Sequence, residues 1–444
     1  MLKNFHVKES DKMSVLLNIA VALLAGLLMT RIFKRWNLPD VTAFLIAGVI
    51  IGPFVIGRFG SGDFGFSSYE EVAKYDVVSE AAMGFIAFSI GSEFRLSALK
   101  KTGKQALIIG VFQSVLATVL VDIALIAFHY VRPDILSIPA AVTLGAIASA
   151  TAPAATLMVV RQFKAKGELT TLLLPIVALD DAVGLVLFAV SFGVAKVMIS
   201  GNLSLIAVLI DPLIEIISSL ALGTLAGVAL TKIEKLFNSN TNRLSMTTTF
   251  VLLTVALTSV SFECGPVTVG FSSLLTCMML GTVFCNICPL SEDIMSRSDK
   301  WSSPVLAAFF VLSGAALRLE VFKDTTLVLI GVIYMIARSA GKYFGARFSA
   351  KATGCSQKVV ENLGITLLPQ AGVALGMCVT AQELGEDGTL IRNIVLFAVL
   401  IYELVGPVLT KQALTRSGDI QEMPKEVRER REQKLKDAMA GTRK

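Results

Sequence analysis

Between residues 13 and 411 the chain alternates apolar runs with short polar breaks, and the runs are about 17 to 30 residues long. About 20 consecutive apolar residues make a helix that crosses the hydrocarbon core of a bilayer, so runs of this length constrain the fold more than any other feature. Thirteen spans are predicted, at about 13–31, 38–57, 77–94, 105–128, 136–160, 169–198, 204–231, 245–262, 266–287, 301–317, 325–346, 359–382 and 391–411. Composition agrees: 54% of the 444 residues are hydrophobic, only 17% are charged, and the mean hydropathy is +0.72. Soluble domains carry about 25% charged residues. A soluble enzyme, a nucleic-acid binder and a disordered scaffold do not fit, and the fold class read here is an all-α polytopic membrane protein.

The first run continues into Arg31, Lys34 and Arg35 with no small-residue cleavage site, so it reads as an anchor. Lys and Arg accumulate in cytoplasmic loops. With the break after the first span placed in the cytoplasm, the loops on that side (31–37, 95–104, 161–168, 232–243, 288–300 and 347–358) hold 18 basic residues, and the tail from Lys411 holds 10 more. The opposite side holds 10. Residues 1–12 are therefore expected outside and the tail, 413–444, inside a cell (inner) membrane. Alternating charges between Lys425 and Lys436 suit a solvated helix, with a contact to anionic lipid as the alternative.

Thirteen spans divide into six, a linker and six more, in which the second six enter the membrane from the opposite side. That is the inverted repeat of many secondary transporters. The fifth span of each half carries a mid-membrane proline among small residues, Pro153 in GAIASATAPAAT and Pro369 in GITLLPQAGVALG. A proline removes a helical hydrogen bond, and broken helices persist at membrane depth only where they are packed or line a cavity.

Charges within spans cost about 2.5–3.5 kcal/mol each on insertion scales, which makes each a candidate for function. Asp180 and Asp181 lie near the middle of the sixth span, in LLLPIVALDDAVGLVLFAV. Neighbours on a helix point about 100° apart, so one can face a water-filled cavity while the other meets a partner helix. Two like charges this close, both out of water, disfavour joint ionisation, which suits a group that loads and unloads a proton. Carboxylate oxygens also suit a small cation. The opposite charges are Arg338 and Lys342, four apart on one face of the eleventh span. Arginine stays charged whereas a buried lysine can release its proton, so Lys342 is the expected partner of one aspartate, with Arg338 a second charge partner that stabilises the site or a side chain reaching toward the inner surface.

Weaker signals remain. Asp122 and Glu403 occupy the fourth and thirteenth spans as possible accessory groups. Asp211 and Glu215 open the seventh span and read as interfacial; His129 closes the fourth and reads as structural. The cysteines, Cys264, Cys277, Cys285, Cys288, Cys355 and Cys378, are scattered; the C-x-x-C spacing of Cys285 and Cys288 suits a redox or metal site, but no second pair completes one. G-x-x-x-G at Gly48–Gly52, Gly223–Gly227, Gly341–Gly345 and Gly372–Gly376 reads as close helix packing.

ALDDAVG, TAPAAT, LLPQAGVALG, GKYFG and the early LPDVTAFLIAGVIIGP together resemble the monovalent cation:proton antiporter superfamily, over roughly residues 15–412, and the double aspartate is similar to its electrogenic branch. The resemblance implies an antiporter fold with two crossed discontinuous helices, and a homodimer. Its dimer scaffold would comprise residues 13–94 and 245–317, and its mobile core 105–198 and 325–412, within a transporter domain at 13–412. It implies that Asp181 binds the ion or proton, that Asp180 pairs with Lys342, and that Thr151, Thr156 and Gln370, beside Pro153 and Pro369, contribute at the breaks. Some relatives carry an acid where this chain has Ala152, a departure that leaves ion selectivity open.

The expected activity is exchange of protons for Na⁺, Li⁺ or K⁺ by alternating access, electrogenic and without a cofactor, with the lipid bilayer as surroundings. A sodium-coupled symporter of a small organic anion is the alternative. Intramembrane proteolysis needs two aspartates on separate helices and prenyl transfer needs acid-rich segments for Mg²⁺, neither of which one adjacent pair supplies; a continuous channel would be obstructed by it.

Overall fold

The computed structural model of the protein describes residues 3–36, 38–57, 65–92, 94–200, 205–260, 262–264, 267–317 and 323–420. Its helices are α1 (Lys3–Lys34), α2 (Asp40–Ile51), α3 (Tyr69–Ala73), α4 (Asp76–Gly91), α5 (Leu96–Val131), α6 (Ile138–Ile147), α7 (Pro153–Gln162), α8 (Glu168–Ser200) and α9 (Leu205–Glu234). After α10 (Asn240–Thr258) a short antiparallel hairpin pairs β1 (Phe262–Cys264) with β2 (Val267–Val269). The chain continues as α11 (Ser273–Ile287), α12 (Ser291–Ala315), α13 (Thr325–Ala352), α14 (Gln357–Thr366), α15 (Gly372–Ala381) and α16 (Glu386–Ser417).

Among the described residues six helices are long and apolar enough to cross a membrane, within α1, α5, α8, α9, α13 and α16. The outward faces of these helices are apolar: Leu24, Leu28, Ile123, Leu225, Ile336 and Phe348 are all exposed. In water such a surface would be unstable, whereas hydrocarbon solvates it. The protein is a multi-pass membrane protein.

Each predicted run overlaps a helix, with shifted ends. The predicted second span, 38–57, is helical only to Ile51, because Gly52 and Pro53 follow. The predicted ninth span starts too early at 266: Val267–Val269 form β2, and the helix begins at Ser273, capped by the Ser272 hydroxyl accepting from Leu275 N. α1 starts at Lys3, ten residues before the first apolar run. The fifth and twelfth predicted spans are each two half-helices.

Two packed groups follow. α5, α6 and α8 pack together with α13, α15 and α16 around Val121, Leu144, Tyr334 and Phe397. α2, α4, α11 and α12 form the other group, with α1 against α2 and α9 against α11. α5 and α13 approach closely because α13 presents glycines: a Cβ on Gly341 would sit 2.4 Å from Ala117 Cα, and one on Gly345 2.6 Å from Gln113 Cα. This contact brings Lys342 and Gln113 within reach of the same carboxylate. Gly376 differs from the packing expected of it, since no atom lies within 4 Å of its Cβ position and it lines a cavity.

Candidate ion-binding site

The site starts from the two interruptions. Pro153 opens α7, where its missing N–H is harmless, and residues 148–152 leave the helical path. Pro369 lies between α14 and α15, and the two breaks touch: Ala152 N donates to Pro369 O at 2.8 Å. Gln370 adds a second tie, its Nε2 donating to Ile147 O at 3.0 Å while the amide also meets Tyr334 Oη. Both residues thus join the breaks to each other.

Where α6 and α14 end, their last carbonyls lose helical partners and carry the negative end of each helix dipole. Arg338 neutralises both. Its Nε donates to Ala148 O at 3.0 Å, one terminal nitrogen to Ala150 O at 2.7 Å, and the other to Leu368 O at 2.7 Å. The guanidinium is fully buried, 4.6 Å from the Tyr402 ring centre. The expectation of Arg338 as a charge partner of the aspartates, or as a side chain reaching for the inner surface, is therefore corrected: a planar fork of donors matches a set of converging carbonyls better than a single carboxylate.

One turn further along α13, Lys342 is also fully buried. Its ammonium donates to Ser149 O, to Thr151 Oγ1 at 2.9 Å and to Asp180 Oδ2 at 3.0 Å. Asp180 is satisfied at both oxygens. Oδ2 also accepts from Thr151 Oγ1 at 2.6 Å, and Oδ1 accepts from Gln113 Nε2 and from Ser114 Oγ at 3.2 Å. A buried ion pair is tolerable only when the remaining lone pairs and protons find partners, and here four donors from α5, α13 and the first break surround one carboxylate.

Asp181 is the opposite case. It is 1% exposed, and neither carboxyl oxygen has a hydrogen-bond partner. It lies at a cavity of about 540 Å³ whose walls come from α8 (Leu185, Phe188, Phe192), α15 (Val373, Met377, Thr380), Glu215 of α9 and Ser272. Lys196 and Glu383 pair across the two ends of the α8 and α15 wall. A charge out of water without partners costs several kcal/mol. A bare carboxyl beside a cavity is therefore suited to holding either a proton or a cation.

Other expected participants are placed elsewhere. Thr156 Oγ1 turns back to Ala152 O, at the cap of its own helix, at 3.4 Å. Asp122 lies over Gly145 of α6 and Glu403 is buried in α16; neither bonds to Asp180 nor lines the Asp181 cavity. Glu215, read as interfacial, lines the cavity. His129 Nδ1 meets Leu136 O at 2.6 Å at the end of α5. Cys285 and Cys288 are buried at the end of α11, and Cys285 Sγ contacts Gly91 O at 3.8 Å. The side chains of Asp211 and Cys264 and the charged stretch 425–436 lie outside the described residues.

Sequence reasoning missed Gln113, Ser114, Tyr334 and Tyr402. The first two left a signal, an adjacent neutral polar pair in the apolar run GVFQSVLATV of α5, but attention to charged residues passed over it. The tyrosines resemble ordinary apolar filling until Gln370 and Arg338 are seen against them.

Residues 19–416 match the family model described as sodium/hydrogen exchanger, transmembrane. The chain is 24% identical over 410 residues to the Na(+)/H(+) antiporter NhaS4 of Synechocystis sp., covering 89% of this chain and 96% of that protein. It is 26% identical over 348 residues to the Na(+)/H(+) antiporter 1 of Methanocaldococcus jannaschii, covering 74% of this chain and 75% of the relative. The fold is that of the sodium proton antiporter MjNhaP1 from M. jannaschii, whose structure at pH 8 superposes with a TM-score of 0.68 at 20% identity over 92% of this chain and 99% of that one. With nearly its whole membrane region matched by that model, the chain belongs to the transmembrane sodium/hydrogen exchanger family.

Proposed function

We propose that this protein is a secondary antiporter that exchanges protons for sodium across its membrane, with Asp181 as the group that carries one or the other. The observation that carries the reading is the unpartnered, buried Asp181 carboxyl at the cavity, one residue from an Asp180 that is fully bonded. Proton and cation compete for Asp181, so each excludes the other, and the loaded site is exposed to the two faces in turn. Li⁺ and K⁺ are further candidate cargoes, because hard cations take oxygen ligands. The relatives named as Na(+)/H(+) antiporters support sodium.

Under this reading α5–α8 and α13–α16 form the moving core and residues 13–94 and 245–317 the scaffold of a homodimer, with residues 1–12 outside and 413–444 in the cytoplasm. The crossed breaks suit such a core, because Arg338 and the Ala152–Pro369 bond hold them as one unit. If Lys342 releases its proton as Asp181 takes a cation, the cycle moves net charge, and each charge couples to about 2.3 kcal/mol per 100 mV.

Reconstitution into proteoliposomes holding a pH-sensitive dye tests this. Sodium on one side should drive protons to the other, and an imposed potential should change the rate. Proton flux indifferent to Na⁺, Li⁺ and K⁺ would overturn the exchange reading, and flux indifferent to potential would overturn the electrogenic part.

A further inference from the structure

The cavity has a second carboxylate, which the exchange reading does not use. Glu215, in the N-terminal half of α9, lines the cavity together with residues of α8 and α15. Its side chain is half-buried and has no hydrogen-bond or ion-pair partner among the described residues. The other charged groups facing the cavity are Asp181, also unpartnered, and Lys196 with Glu383, which neutralise each other. The cavity therefore presents two uncompensated carboxyl groups, the buried Asp181 of α8 and the half-buried Glu215 of α9.

The turn that holds Glu215 is pinned. Ser219 Oγ donates to Glu215 O and accepts from Ser272 N at 2.8 Å, and Ser218 Oγ donates to Gly270 O at 2.7 Å. Glu215 is thus fixed to the segment leading into α11, in the group of helices away from the breaks, whereas Asp181 belongs to the group that contains them. A volume of about 540 Å³ is room for roughly 18 waters at about 30 Å³ each, enough for a cation that keeps most of its hydration. A low-dielectric cleft whose uncompensated charges are of one sign concentrates counter-ions.

We propose that Glu215 is the capture residue for cations arriving through this cavity: it holds the hydrated cation on the stationary wall before the ion sheds water and reaches Asp181. The proposal rests on the exchange reading and adds sidedness to it. When the core carries Asp181 to the other face, Glu215 stays behind, so it sets cation affinity from one side of the membrane only.

The test compares sodium-driven proton flux in right-side-out and inverted vesicles for wild type, Glu215→Gln and Glu215→Asp. Glu215→Gln should raise the apparent KM for Na⁺ by roughly three- to tenfold on the cavity side, leave kcat within about twofold, and leave the KM from the opposite side unchanged. Glu215→Asp, which keeps the charge, should retain most of the wild-type affinity. Raising ionic strength with choline chloride should weaken Na⁺ affinity on the cavity side in wild type and far less in Glu215→Gln, a difference that a merely structural role would not produce. A KM unchanged on both sides, or raised equally on both, overturns the proposal while exchange in wild type still stands. Absence of sodium-driven flux in wild type overturns the exchange reading and this proposal with it.

Discussion

Asp180 and Asp181 share one turn of α8 and are equally hidden, at 0% and 1% exposure, yet they live in opposite surroundings. Asp180 points into the contact between α5, α13 and the first break, where Lys342, Thr151, Gln113 and Ser114 all donate to it. Asp181, about 100° around the helix, points at the cavity and has no donor. Side-chain direction alone divides a carboxylate bonded into the fold from one that no donor holds. Burial does not distinguish them; the hydrogen-bond inventory does.

The largest expected effect breaks the second half of that contrast. Asp181→Asn should abolish sodium-driven proton flux, lowering it more than 100-fold to the level of empty liposomes, because the amide has no charge to neutralise and no proton to trade. Its thermal midpoint in detergent should stay at or above wild type, since no hydrogen bond is lost. Exchange at wild-type rates would show that Asp181 is a bystander.

Asp180→Asn should do the reverse at the level of stability. It leaves the Lys342 ammonium buried among neutral groups only, and removing one partner of a buried pair costs about 3–5 kcal/mol. The Asp180→Asn, Lys342→Met double variant should recover much of that loss, because no charge is left stranded. Heating followed by size-exclusion chromatography reads both. Equal melting of Asp180→Asn and Asp181→Asn would erase the distinction between the two carboxyls.

Smaller losses should track the number of bonds removed. Arg338→Lys keeps the charge but cannot reach Ala148, Ala150 and Leu368 carbonyls together; each orphaned carbonyl costs about 1–3 kcal/mol. Gln113→Ala removes one donor from Asp180, where a hydrogen bond to a charged group is worth about 1.5–3 kcal/mol. Gln113→Ala should lower the melting midpoint less than Asp180→Asn, and Arg338→Lys more than Gln113→Ala. A Gln113→Ala protein as unstable as Asp180→Asn would place the strength of the cluster in α5 rather than in the ion pair.

These bonds also mark how far the sequence could be read. Pro153 and Pro369 announced both breaks, because proline acts on its own helix and needs no partner to be identified. The aspartates and Lys342 announced themselves as charges in apolar runs. Which aspartate met Lys342 was given only by family resemblance, since helical spacing says that the two diverge but not where either goes. Arg338 was assigned to a carboxylate because its actual partners, three main-chain carbonyls, have no letter in the sequence. The place of Glu215 on a cavity wall was missed for a similar reason: depth along a helix says nothing about a cavity formed with another helix. The strands Phe262–Cys264 and Val267–Val269 were read partly as helix because Val267 and Val269 are as apolar as the helix that follows.

The least effect is expected where the contrast depends on access rather than bonding. The cavity beside Asp181 opens near the C-terminal half of α8, while at the far end of α7 the two helix groups are tied together. Arg161 pairs with Asp299 of α12 at 2.9 Å, Ser89 of α4 donates to the same Asp299 oxygen at 3.1 Å, and Asp40 N donates to Gln162 Oε1 at 2.7 Å. Arg161 and Asp299 are partly exposed, so the pair is worth about 0.2–1 kcal/mol. Removing it with Asp299→Asn should shift the balance between cavity-open and cavity-closed forms by at most about fivefold, toward closure of this face. A Thr380→Cys reporter on the cavity wall, placed in a chain with its native cysteines replaced, reads that balance through labelling by a membrane-impermeant thiol reagent. Labelling should slow two- to fivefold in Asp299→Asn. An unchanged rate would mean that the tie at α7 does not hold the cavity open, and that access to Asp181 is set by the α8, α9 and α15 walls alone.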